Sequence, residues 1–152
     1  MESIKQYIFA RNAALGTLAK APEGKWNETP GSFSNNIHWN AGHIFVSAEG
    51  FLHLADDAYK VANPEWGALF ATGTRPSDWP AQVPSEEEIT SALQEQMGRI
   101  ERHFSAKLGD NASQSVKIGP LEMTTVEAVL QFVTFHEGMH TGIINSLSKV
   151  IR

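Results

Sequence analysis

The chain has 152 residues, and its 12 Lys and Arg against 17 Asp and Glu give a formal net charge of −5 with His neutral. This length fits a single domain, 1–152, with a substantial hydrophobic core. The absence of cysteine excludes a disulfide scaffold, a cysteine zinc site, an iron–sulfur cluster and a thiol nucleophile. The acidic balance argues against nucleic acid or an anionic membrane as a partner, because both require a basic face.

The sequence shows neither a membrane anchor nor a secretion signal. No segment approaches the roughly 20 apolar residues that a membrane span requires. The start of the chain, Met1 to Asn12, lacks the apolar run of a signal peptide. We therefore expect a cytoplasmic protein with no membrane partner.

Helical periodicity first appears in two stretches before the middle of the chain. Apolar residues recur at helical spacing from about Ser3 to Lys20, and Pro22 ends that stretch. The second predicted helix runs from about Ser34 to Asp57, with Ser34 or Asn35 as its N-cap.

Two further helices are predicted in the second half, each from a capping box. Ser85 and Glu88 have the required spacing at the start of a helix that continues to about Leu108. Thr124 and Glu127 have the same spacing at the start of a fourth helix, which runs to the end of the chain.

The connectors differ in length, and the longest lies between the second and third helices. It runs from Ala58 to Val83, carries several prolines and aromatic residues, and has room for one short helix at Asn63-Pro64-Glu65. Its length permits the second and third helices to run parallel. The segment Gln114 to Leu121 is compatible with a weak hairpin. These features predict an all-α four-helix bundle, a fold that builds metal and ligand sites from inward-facing side chains.

Two histidines of the fourth helix are candidates for metal ligands. Helical phase places His136 and His140 in the middle of the buried face, one turn apart. Two imidazoles at this spacing can bind one ion together. The spacing is equally compatible with two core histidines that hydrogen-bond to backbone or water.

The second helix offers a third ligand. His43 lies in a lane of polar and small side chains with apolar residues on both sides, as expected for the wall of a pocket. Helical phase places His38, Glu49 and His53 on the opposite, solvated side. His103, on the third helix, is interpreted as an exposed residue, with a place beside the pocket as the alternative.

The resulting hypothesis is a site in which His43, His136 and His140 hold one divalent ion. Three imidazoles suit zinc, nickel, iron or cobalt better than calcium or magnesium, and we favour zinc or nickel. Three protein ligands leave at least one position open for water or a substrate, as in catalytic sites.

The run His136-Glu137-Gly138-Met139-His140 matches the H-E-x-x-H signature of zinc proteases. Those enzymes take their third ligand downstream, and residues 141–152 contain no His, Asp or Glu. We therefore interpret Glu137 as a partner of the site or a boundary charge, and we doubt that it acts as a protease base.

Three other residues are notable. Arg11 lies within the apolar stripe of the first helix, where it could bind an anionic substrate, pair with a buried carboxylate, or extend to solvent from a helix seam. Trp39 and Phe135 are most simply core or interface aromatics.

The run Ile37-His38-Trp39-Asn40-Ala41-Gly42-His43-Ile44, with His136-x-x-x-His140-x-Gly142 far downstream, resembles the DinB-like superfamily. The resemblance implies a four-helix bundle with up-down-down-up topology and a metal site formed by His43, His136 and His140. It also implies a homodimer. Some members resemble thiol-dependent transferases or isomerases that use bacillithiol or mycothiol. Members commonly have Gln where this chain has Ile143, or nearby, which leaves the subgroup open.

Two functions are compatible with these features. The first is a metal-dependent enzyme that transfers a low-molecular-weight thiol to a small molecule or hydrolyses it. Because the chain has no cysteine, the thiol would come from a cosubstrate. The second is a non-catalytic metal- or ligand-binding bundle involved in stress response, with its second helix at a dimer interface.

Overall fold

The computed structural model describes residues 1–151 and is mostly helical. Four of its helices are long, and they are α1 (Glu2–Lys20), α2 (Ile37–Ala55), α4 (Glu86–Phe104) and α5 (Val126–Val150). The short α3 (Gly67–Phe70) follows a 3-10 turn at Pro64–Trp66, and a second 3-10 turn lies at Pro76–Asp78. Strands β1 (Asn111–Ile118) and β2 (Leu121–Thr125) pair as an antiparallel hairpin before α5.

The predicted helix starts are confirmed to within a few residues, and two caps are corrected. Ser85 and Glu88 form the expected capping box of α4. The cap of α2 is Asn36, one residue beyond the predicted pair, and its side chain accepts a hydrogen bond from the amide of Trp39. The cap of α5 is Thr125 rather than Thr124, because β2 keeps the chain extended through Thr125.

The hairpin is more extensive than the weak element predicted at Gln114 to Leu121, so a purely all-α description needs correction. Gly119 has a φ of 55°, a conformation that glycine adopts without steric cost, and it turns the chain between the strands. Val116 pairs with Met123, and both side chains are buried. These two side chains thereby join the core cluster formed by α1, α2, α4 and α5.

Side-chain contacts define how the long helices run beside one another. Ser3 and Arg11 of α1 hydrogen-bond Glu127 and Glu137 of α5 in the same order along both helices. Asn40 and His43 of α2 contact His140 and His136 of α5 in the opposite order. Therefore α1 runs parallel to α5, and α2 runs antiparallel to it.

The long connector packs over α2. Phe70 is fully buried, and a Cβ on Gly42 would lie 2.4 Å from its ring, so only glycine permits this approach. Trp66 packs against Phe45 and Phe70 with ring centroids 5.1 and 6.1 Å away. This covering leaves α2 buried within the chain along most of its length.

None of the helices within residues 1–151 combines the length and the apolarity needed to cross a bilayer.

Candidate metal centre

The three histidines selected from the sequence meet between α2 and α5. One ring nitrogen from each of His43, His136 and His140 lies within 4.8 Å of the other two. The ring centroids are 4.5 to 4.9 Å apart. The Nε2 atoms of His43 and His136 are 3.2 Å apart. The two distant segments therefore do bring their imidazoles to a common point.

The connector orients the ring of His43. Its Nδ1 lies 2.8 Å from the carbonyl oxygen of Phe70. Because a carbonyl only accepts hydrogen bonds, Nδ1 must carry the proton. The Nε2 atom of neutral His43 therefore presents a lone pair to the other two rings.

Asn40 orients His140 in the same way. The side-chain amide nitrogen of Asn40 donates to the carbonyl of Asn36 and to Oδ1 of Asn35, which fixes the direction of the amide. Oδ1 of Asn40 then faces Nδ1 of His140 at 2.8 Å. His140 must donate from Nδ1, so its Nε2 also carries a lone pair.

Burial keeps the three imidazoles neutral. It lowers the pKa of His136 to about 4 and that of His140 to about 3, and repulsion from neighbouring imidazoles adds to both shifts. Burial also lowers the pKa of His43. Neutral rings are the form that binds a metal, so proton competition is weak near neutral pH.

The geometry fits a transition-metal ion. Two nitrogens at about 2.05 Å from a tetrahedral ion are about 3.3 Å apart, and the His43–His136 nitrogen separation is 3.2 Å. Nitrogen donors alone, without a carboxylate, favour zinc, nickel, iron or cobalt over calcium and magnesium. The three residues could therefore hold such an ion with a position left for an external ligand.

Aromatic side chains enclose the site. Trp39 stacks on His43 with centroids 4.4 Å apart and planes 12° apart, and its Nε1 donates to Oγ1 of Thr74 in the connector. Phe51 meets His136 edge-on at 6.2 Å, and Phe132 lies 6.4 Å from the same ring. These apolar walls strengthen electrostatic interactions inside the site by excluding water.

Several expectations for the second helix are wrong. His38, predicted to face water, is 6% exposed, and its Nε2 lies 2.6 Å from the carbonyl oxygen of Pro84. Glu49, placed on the same solvated side, is 1% exposed. His53 is half-buried, with Nδ1 bonded to the carbonyl of Tyr59. The connector and α4 cover that side of α2, which the phase of a single helix cannot reveal.

His103 is not part of the metal centre. It is half-buried and pairs with the carboxylate of Asp56, at the far end of α2 from His43. Phe135 is 61% exposed, so of its two predicted roles the core is excluded and the interface stays a prediction. Trp39 is a core aromatic, as expected.

Glu137 points away from the three histidines and pairs with Arg11. The guanidinium contacts both carboxylate oxygens, at 2.5 and 3.0 Å, and also donates to the carbonyl of Leu93. Both side chains are at most 1% exposed. Of the alternatives for Arg11, pairing with a buried carboxylate is therefore confirmed. Arg11 links α1 to α5 through Glu137 and to α4 through the carbonyl of Leu93.

The sequence model of the DinB superfamily matches residues 6–144. The chain belongs to the DinB superfamily. The match includes all three histidines and Asn40. No curated protein matches this DinB-superfamily chain. Asn40 was visible in the sequence as part of the polar lane, but its role requires the fold, because its partner lies 100 residues away.

Proposed function

We propose that this DinB-superfamily protein is a metal-dependent enzyme that acts on a small molecule through His43, His136 and His140. The observation that carries the proposal is the convergence of three ring nitrogens within 4.8 Å. In two of the rings, the Nδ1 hydrogen bonds turn Nε2 toward that point. Zinc or nickel is the proposed ion, since both accept imidazole donors.

The residues around the site have distinct roles in this proposal. Asn40 and the carbonyl of Phe70 hold two rings in the tautomer that can bind a metal. Trp39, Phe51 and Phe132 limit access of water. A bound divalent ion would supply a positive charge that lowers the pKa of an external thiol or water.

The absence of cysteine limits the reactions that this site could carry out. Since the chain has no cysteine, a thiol reaction requires a low-molecular-weight thiol such as bacillithiol or glutathione as a cosubstrate. The activated thiol would attack an electrophilic small molecule. Hydrolysis, with water in the place of the thiol, is the other reaction that a bound divalent ion would allow.

A non-catalytic metal- or ligand-binding bundle is the second candidate. Glu137 is the carboxylate next to the site in sequence, and both of its oxygens are bonded to Arg11. It therefore has no free oxygen turned to the metal centre for use as a general base. This observation favours binding without hydrolysis, while leaving thiol transfer supported.

The experiment that separates these functions is a turnover screen on tag-free protein loaded with zinc or nickel. Bacillithiol and glutathione are each paired with simple electrophiles, and thiol-free reactions report hydrolysis. We expect metal-dependent turnover that disappears in His136→Ala and persists in His53→Ala. If the metal-loaded protein shows no turnover with any thiol or with water, the binding function replaces the enzymatic one.

The proposed architecture is a four-helix bundle of α1, α2, α4 and α5 in up-down-down-up order. Its support is the matching order of the α1–α5 contacts and the reversed order of the α2–α5 contacts. Gln96 and His103 of α4 contact Phe45 and Asp56 of α2 in the same order, as parallel neighbours would.

A cytoplasmic homodimer is the proposed assembly. The second helix, expected at the interface, is covered within its own chain. Phe135 and Met139 of α5, at 61% and 45% exposed, are better candidates for a contact between copies. Light scattering on the wild type and on Phe135→Ser tests this, with a dimer expected for the first and monomer for the second. A monomeric wild type would refute it.

A further inference from the structure

A cleft at the opposite end of α2 from the metal centre gathers basic side chains. It has a volume of about 470 Å³ and is lined by six residues, which are Ala58, Tyr59, Lys60, Arg99, Arg102 and His103. Among residues 1–151, no carboxylate lines it. The cleft is therefore lined by basic side chains although the net charge of the chain is −5.

Tyr59 forms the platform of the cleft, because its ring contacts two of the basic side chains, Arg99 and His103. Its ring is buried, and the guanidinium carbon of Arg99 lies 5.4 Å from the ring centroid. His103 meets the same ring edge-on at 5.3 Å. The Tyr59 hydroxyl donates to Glu49 and accepts from Nη1 of Arg99 at 2.8 Å. The platform and its cations are therefore fixed by contacts to the core.

Arg99 is held in place by the core and still has N–H donors free for a ligand. Its Nη2 lies 2.8 Å from Oε1 of the buried Glu49. A guanidinium has five N–H donors, and the contacts to Tyr59 and Glu49 use two of them. Arg99 can thus donate to a ligand while Glu49 holds it in place, an arrangement that reduces the entropy lost on binding.

Lys60 and Arg102 supply positive charge that the protein does not neutralise. Within residues 1–151, neither side chain forms a salt bridge, and both are exposed. The guanidinium of Arg102 lies against α4 over Gly98, where an added Cβ would come within 3.0 Å of Nη1. His103 and Lys107 share Asp56, so that carboxylate is already engaged beside the cleft.

We propose that this cleft binds the phosphate group of a small phosphate monoester. Lys60 and Arg102 supply two positive charges and Arg99 supplies further N–H donors, a set that matches a doubly charged phosphate better than a singly charged carboxylate. The cleft volume of about 470 Å³ lies within the roughly 300–1,000 Å³ of pockets that hold small organic ligands. There is therefore room for an organic group beside the phosphate. The site is separate from the metal centre and does not depend on its function.

The test is a titration of isotope-labelled protein, followed by NMR, with inorganic phosphate and with adenosine 5′-monophosphate. Adenosine is the matched probe without a phosphate, and ionic strength is kept constant. We expect both phosphates to shift the amides of Lys60, Arg99 and Arg102, with tighter binding of the monoester, and adenosine to leave them unchanged. Binding of inorganic phosphate alone, or stronger binding of adenosine, would overturn the proposal.

Charge-removing variants sharpen the assignment. Lys60→Gln and Arg102→Gln should each weaken monoester binding about tenfold, since each removes a charged hydrogen bond. Arg75→Gln is the matched control, because Arg75 is an exposed arginine paired with Asp78 outside the cleft. Unchanged affinity in both cleft variants, or shifts confined to His136 and His140, would contradict the site.

Discussion

Two consecutive residues of α5 belong to buried polar regions of opposite character. Glu137 meets Arg11, and the pair satisfies its charges and hydrogen bonds within the protein. His136 meets His43 and His140, where the lone pairs of neutral imidazoles converge. Burial of polar groups is common to both regions. The difference is that the Arg11–Glu137 pair needs no further partner, whereas the lone pairs of the three histidines would be satisfied by a bound cation.

This comparison explains why the H-E-x-x-H match is misleading here. Adjacent residues on a helix are about 100° apart, so Glu137 turns toward α1 while His136 faces α2. In the zinc proteases that carry this motif, the glutamate is the general base. Here Glu137 does not act in this way, because it forms a structural ion pair with the fully buried Arg11.

The largest effect is expected from breaking the Arg11–Glu137 ion pair. Glu137→Ala leaves the charge of Arg11 buried without a partner, which costs about 3–5 kcal/mol in the free energy of unfolding. Urea denaturation of the metal-free protein measures this loss. The double variant Arg11→Met/Glu137→Leu should recover most of it, because no charge stays buried. A loss below about 1 kcal/mol, typical of an exposed pair, would contradict the structural role.

The next effect concerns metal binding by His43, His136 and His140. An ion that binds only the folded protein should raise the free energy of unfolding by about 2.7 kcal/mol at a free concentration of 100 times its dissociation constant. Thermal or urea unfolding with and without zinc or nickel measures the gain. It should disappear in His43→Ala and remain in His38→Ala, whose ring bonds to Pro84 instead. An equal gain in both variants would argue against the three-histidine site.

A smaller effect is expected from the residues that orient the rings. Asn40→Ala removes the acceptor of the Nδ1 proton of His140, and such changes typically weaken metal binding 10- to 100-fold. Competition with a chromogenic chelator measures the affinity. Asn145→Ala, an exposed position on α5, is the control and should bind as the wild type does. Equal affinity in the two variants would show that Asn40 does not position the ligand.

The last effect concerns pH. The pKa of His136 falls from 6.5 when unfolded to about 4 when folded, so between these values the unfolded chain binds more protons. The stability of the metal-free protein should therefore rise as the pH increases from about 4 to 6.5, and level off above. Urea unfolding over this range measures the slope, which should be shallower in His136→Ala. Equal slopes in both proteins would contradict a neutral, partly buried imidazole at His136.

The sequence predicted the part of the site that depends on local geometry. Spacing along α5 and the polar lane of α2 were sufficient to select His136, His140 and His43. The Phe70 carbonyl that orients His43 could not be predicted, because it depends on where the connector packs. Glu49 was misplaced for a related reason, since α4 covers it through Arg99 and Gln96.

The fold shows the same limit. Capping chemistry located the start of α4 at Ser85, where the signal lies within four residues. The hairpin was underestimated, because only Val116 and Met123 are buried in a pair of strands that otherwise faces solvent. Such a short pattern is too weak to define both strands without the core beneath them.

The most direct test is metal stoichiometry in tag-free protein, measured by elemental analysis after incubation with zinc or nickel and removal of the excess. We predict one ion per chain in the wild type and in His38→Ala and His53→Ala, and a loss of that ion in His43→Ala, His136→Ala and His140→Ala. Full metal retention in any one of the last three variants would contradict the shared site.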